Sequence, residues 1–142
     1  MPYTFYIILH VTGIAFTFTA LGGAAMANAA GIAKQDNPVR GILSAGHGIG
    51  MLLIFVSGFG LMAKIGIFGG GWPIWIILKM LIWLAVGAAL VPLLRKPGVG
   101  KAALITLPLI VTLAAWLAKD KPGGIPAYDS ADVVAEGSGA AE

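Results

Sequence analysis

The chain has 142 residues, 58% of them apolar and only 11% charged, with a formal charge of +3 and a mean hydropathy of +0.93. An average soluble domain carries about a quarter of its residues as charges, so this composition points to a membrane protein. No cysteine is present, which excludes a disulfide scaffold, thiolate catalysis and cysteine metal sites.

Charge placement is more informative than charge number. No Asp, Glu, Lys or Arg occurs before Lys34. The nine Lys and Arg residues mostly flank apolar runs instead of forming a patch. They read as topology determinants, and a nucleic-acid partner is not expected.

In chain order, the first predicted span runs from Tyr3 to Ala30 and opens on a belt of aromatics, Tyr3, Phe5 and Tyr6. A cleavable signal peptide is the competing reading, because Ala27-Asn28-Ala29 resembles a small-residue cleavage site. Against it stand a basic-free start and an apolar stretch longer than a signal core. The loop Gly31 to Arg40 carries the turn signal Asp36-Asn37-Pro38.

The second span, Gly41 to Ala63, is rich in glycine, and Gly46 with Gly50 makes a GxxxG element that lets membrane helices approach closely. Lys64 ends it, and Ile65 to Gly71 forms the second loop. The third span extends from Trp72 towards Pro97, with Pro92 inside it. After the turn Lys96 to Lys101, the fourth span continues to Ala118 around Pro108. Prolines are tolerated within such helices.

The expected fold is all-α: a polytopic four-helix transmembrane bundle over residues 1–121, then an acidic, disordered tail over 122–142. Loops one and three carry Lys34, Arg40, Arg95, Lys96 and Lys101; the opposite side has Lys64, Lys119 and Lys121. The positive-inside rule then places both termini outside the cytoplasm.

A rise of 1.5 Å per residue converts sequence position into depth. His10 and Lys79 each lie seven residues inside their spans, and both enter from the terminal side, roughly 10 Å deep. Ser57, near the end of the antiparallel second span, reaches a similar level. His47 and Asn28 are expected at the opposite level. The two histidines therefore stand roughly 10 Å apart along the normal, too far for one haem held between both.

Lys79 is the decisive oddity. No Asp or Glu occurs within the four predicted spans, so its ammonium has no carboxylate partner at depth. Either it snorkels to the headgroups, or it faces the interior and meets a ligand carboxylate; a neutral lysine is a third outcome. His10 is either a packed histidine bonded to another helix or a metal, haem or proton-transfer residue. His47, set in Ala45-Gly46-His47-Gly48, has glycine neighbours that leave room for a flat macrocycle or simply for another helix. Paired carboxylates, phosphate-binding loops and dinucleotide fingerprints are all missing from the sequence.

The segment His47 to Leu90 resembles the SirB family of small bacterial membrane proteins. A histidine opens a helix, Gly58-Phe59-Gly60-Leu61 closes it, Trp75 to Lys79 starts the next, and Gly87-Ala88-Ala89-Leu90 follows. The wider outline, with Leu9-His10 and Lys79, resembles the haem-containing protoporphyrinogen oxidase of the HemJ type, and more loosely the CopD membrane domain. That resemblance implies that His10 and Lys79 are functional and that a porphyrin propionate pairs with Lys79. The chain departs from the oxidase after span one, where Gly22 to Asn28 stands in place of a proline–arginine element.

The resulting expectation is a haem b or tetrapyrrole-binding redox protein of the bacterial inner membrane. His10 and Lys79 are its candidate catalytic pair and His10 and His47 its candidate iron ligands. His10, His47, Lys79, Ser57 and Asn28 are its candidate cofactor contacts. The alternative is a non-catalytic subunit, in a homo-oligomer or a larger membrane complex, whose glycine-rich spans pack on neighbours.

Overall fold

The computed structural model describes residues 1–69 and 72–122. They form α1 (Tyr3–Ala29), α2 (Arg40–Lys64), a 3-10 turn (Ile67–Gly69), α3 (Ile74–Arg95) and α4 (Gly100–Asp120). All four helices are long and apolar enough to cross a membrane, and the protein is an all-α, four-helix bundle. The expected acidic tail lies outside the described residues, Pro122 excepted.

Local chemistry sets the helix boundaries. Pro2 and Pro73 immediately precede α1 and α3 in extended conformation, where a missing N–H removes nothing the helix would use. Before α2, Asn37 folds its side chain back, and its Oδ1 accepts the Val39 N–H at 3.0 Å, an Asx-type turn. Gly98, at φ 82°, reverses the chain between α3 and α4.

Pro92 and Pro108 both lie inside helices. Helix α3 continues past the first, with the Lys96 N–H donating to the Pro92 carbonyl at 2.8 Å. In α4, Thr112 Oγ1 donates to the Pro108 carbonyl at 3.0 Å.

Helix α1 is the hub, touching all three other helices, and its pairing with α2 is the most extensive. Among the described residues α2 and α4 do not meet. Two apolar clusters fill the bundle. The larger joins Leu21, Ala24 and Ala25 of α1 to Met51, Val86, Leu93 and Leu107 from the other three helices. The smaller packs Met62, Ile67, Trp75 and Ile76 around the corner between α2 and α3.

The antiparallel α1–α2 register is read directly from facing residues. Tyr6 meets Gly60, Gly13 meets Gly50 and Ile54, Ala20 meets Gly46, and Leu43 meets Gly23. Backbones come closest at Gly13 and Gly50. A Cβ at Gly13 would stand 2.8 Å from the Ile54 nitrogen and 2.9 Å from the Gly50 carbonyl oxygen, which no side chain tolerates. The expected Gly46–Gly50 element is thus half used: Gly50 makes the crossing with Gly13, while a Cβ at Gly46 would meet Ala20 at an ordinary 3.8 Å.

Candidate functional site

The α1–α2 register brings His10 against Ser57, with His10 Nδ1 and Ser57 Oγ 2.9 Å apart. Ser57 is fully buried, and its hydroxyl lies within reach of the Leu53 and Ile54 carbonyls of its own helix, the latter at 3.2 Å. A hydroxyl has one proton to give. With that proton directed at a backbone carbonyl, Ser57 Oγ accepts from the imidazole, and His10 carries its hydrogen on Nδ1. Nε2 is then the nitrogen that keeps the lone pair, and the Ile54 carbonyl of α2 also lies close to the ring.

Helix α3 delivers Lys79 to the same end of the bundle. Its side chain is half-buried and lies within electrostatic reach of His10; Lys121, just past α4, acts in turn on Lys79. The ammonium sits 5.8 Å from the centroid of the Trp75 ring, one turn earlier on its own helix. A cation–π contact of this kind contributes about 1–2 kcal/mol when desolvated. Placing a lysine at a helix centre costs about 3 kcal/mol on insertion scales. Trp75 therefore offsets part of the cost. Among the described residues the acids are Asp36, in the opposite loop, and Asp120, exposed at the end of α4.

His47 occupies a different place. It is buried, and its Nε2 lies 3.2 Å from the Gly87 carbonyl of α3. Since a carbonyl only accepts, Nε2 carries the proton and Nδ1 the lone pair. That Nδ1 is buried without a hydrogen-bond partner, as is Thr17 Oγ1 on α1. One turn away, Trp83 Nε1 donates to the Met51 carbonyl at 3.2 Å, a second polar tie between α3 and α2.

The expected pairing of His47 with Asn28 does not form. Gly46 faces Ala20, so His47 stands about nine residues, roughly 13 Å, from the level of Asn28. Asn28 instead clasps the turn between α3 and α4. Its Nδ2 donates to the carbonyls of Leu93 at 2.9 Å and Lys96 at 2.7 Å, and its Oδ1 accepts the Gly100 N–H at 2.8 Å. The two histidines are farther apart than the depth estimate implied. His10 meets Ser57, ten residues along α2 from His47, a separation of about 15 Å.

The described residues hold no group of three or more His, Asp or Glu side chains able to cage a metal ion. Among the described residues, two cavities are lined by side chains other than these histidines and Lys79. One of about 280 Å³ opens between loop one and the C-terminal end of α3. One of about 470 Å³ runs between α1 and α4 past Gly22 and Pro108.

No family model, no curated protein and no solved structure matches the chain. Function must therefore be argued from the geometry itself.

Three participants escaped the sequence reading: Trp75 as the neighbour of the Lys79 charge, Gly87 as the acceptor for His47, and Thr17 as a buried hydroxyl. The first was legible, since residues four apart share a helix face. The others depend on which sides of two helices face one another, which depth alone does not give.

Proposed function

We propose that the protein is an integral membrane protein of the bacterial cytoplasmic membrane that binds haem b or a related tetrapyrrole carrying carboxylates. The observation that carries this reading is the His10–Ser57 bond, with Lys79 at the same end of the bundle and within electrostatic reach of the ring. Ligating histidines characteristically donate their second ring N–H to a protein acceptor, which fixes the tautomer and raises the basicity of the ligating nitrogen. His10 is arranged in that way, with Nε2 as the nitrogen left to bind.

The donor set suits a macrocycle better than a bare ion. A side-chain cage is lacking among the described residues, whereas a tetrapyrrole brings its own in-plane nitrogens and asks the protein for axial ligands. His10 would hold the iron, Ser57 would fix the imidazole ring, and Lys79, close to Trp75, would neutralise a propionate. His47 is poorly suited, because its free nitrogen is buried within the bundle. Haem would supply one-electron redox chemistry; the resemblance to the HemJ-type oxidase points the same way. By the charge rule the termini lie in the periplasm, with loops one and three inside the cell.

A reduced-minus-oxidised absorbance spectrum tests this reading, on protein purified in mild detergent after expression with haem available. A Soret band and a sharp alpha band are expected, and both should be lost in His10→Ala. A colourless preparation overturns the reading.

One observation favours a second reading, a non-catalytic subunit of a homo-oligomer or larger membrane complex. The two cavities described above are lined by residues other than His10 and Lys79, and a macrocycle bound outside them would be covered by lipid or by a neighbouring chain. Fixed-stoichiometry partners that co-purify with a colourless protein would support it.

A further inference from the structure

The cavity at the other end of the bundle is independent of the His10 site and has an unusual lining. Its floor is apolar, formed by Ala24 and Ala27 of α1 and Leu93 of α3, while Lys34, Arg95 and Lys96 stand at its rim. It encloses about 280 Å³. No acid contributes to the wall; Asp36, the one described carboxylate at this end, is not part of it. The cations come from two separate segments, loop one and the end of α3.

The Asn28 clasp explains why they converge. By holding the Leu93 and Lys96 carbonyls, Asn28 fixes the last turn of α3 against α1 and sets Arg95 and Lys96 beside the loop that carries Lys34. The same bonds satisfy the carbonyls that would otherwise turn a negative helix end into the cavity. Three like charges around a shared concavity repel one another, and an anion relieves that repulsion.

We propose that this cavity binds the phosphate ester of an anionic glycerophospholipid. The chemistry fits in two parts. Cations at headgroup level meet the phosphate, Arg95 by paired hydrogen bonds and the lysines as point charges. The apolar part of the lining, which also includes Ile32 and Leu94, would meet the start of an acyl chain. Basic pockets between transmembrane helices are a recurrent lipid-headgroup design. The floor is what selects a lipid over free phosphate.

The test uses the full chain in mild detergent, titrated with phosphatidylglycerol or phosphatidylcholine and read by native mass spectrometry. Wild type should retain phosphatidylglycerol selectively, and inorganic phosphate in excess should not displace it. Arg95→Gln and Lys96→Gln should each weaken retention about fivefold. Lys64→Gln and Lys119→Gln, equal charge changes at the opposite end, should leave it unchanged. Circular dichroism checks that each variant keeps its helices. Equal retention of the two lipids, equal loss in the opposite-end variants, or displacement by phosphate alone would each overturn the proposal.

Discussion

His10 Nδ1 lies 2.9 Å from Ser57 Oγ, and because the serine proton is directed to its own helix, the imidazole is the donor. One hydroxyl therefore decides which nitrogen of His10 keeps its lone pair as a base. Ser57→Ala removes the acceptor and lets the ring turn or change tautomer. Haem affinity, measured by Soret titration, should fall about 10- to 100-fold, while His10→Ala abolishes it. Interhelical hydrogen bonds in membranes average about 0.6 kcal/mol, so Ser57→Ala should leave stability almost untouched. Unchanged affinity would show that the bond is packing only.

Lys79 separates stability from binding. Lys79→Met removes a charge that Trp75 compensates only in part, and the variant should be about 1–2 kcal/mol more stable in a detergent unfolding titration. Binding of a propionate-bearing tetrapyrrole should weaken in the same protein. Loss of stability without loss of binding would mean that the ammonium serves the fold.

Asn28 is a structural clasp, and its substitution should injure the bundle. Asn28→Ala leaves the Leu93 and Lys96 carbonyls and the Gly100 N–H without their partner. The expected loss is about 2–3 kcal/mol. Asn28→Asp, nearly the same shape, should do no better, because a carboxylate cannot donate to either carbonyl. Near wild-type stability for Asn28→Asp would contradict this assignment.

Close approach at Gly13 and Gly50 predicts a sharp positional contrast. Gly13→Ala forces a Cβ onto the α2 backbone and should destabilise by about 1–3 kcal/mol or misfold the hairpin. Gly48→Ala, where an added methyl group meets nothing within 4 Å, should be neutral. Thermal unfolding of the two variants side by side reads the difference.

The absence of cysteine permits a clean orientation test. A single cysteine in place of Gln35 should react with a membrane-impermeant maleimide only after the inner membrane is opened. One in place of Lys119 should react in intact spheroplasts. The reverse pattern would invert the topology.

How much of this was legible in the sequence differs by kind of information. The spans were plain because a run such as Ile74 to Leu94, without an acid and with one lysine, has few folds open to it. The meeting of His10 with Ser57 was also within reach, since depth arithmetic put both at one level. The same arithmetic failed for Asn28 and His47: one stands beside a helix end and the other seven residues inside its helix. Depth along an axis says nothing of azimuth. For that reason Gly13 and Thr17, whose importance comes from the side of α1 they occupy, carried no signal, while Trp75 and Lys79 on one helix did.

The central position of α1 bears on how the protein is made. Of the four helices it is the first to leave the ribosome, and it enters the lipid before any of its three neighbours exists. It carries no charge to anchor it, so early residence in the bilayer rests on its apolar length and its aromatic start. The α1–α2 hairpin, the most extensive pairing, can close as soon as the second helix is released. Helices α3 and α4 then assemble on a surface already formed, and biogenesis becomes a matter of successive additions to a template and not of one concerted collapse.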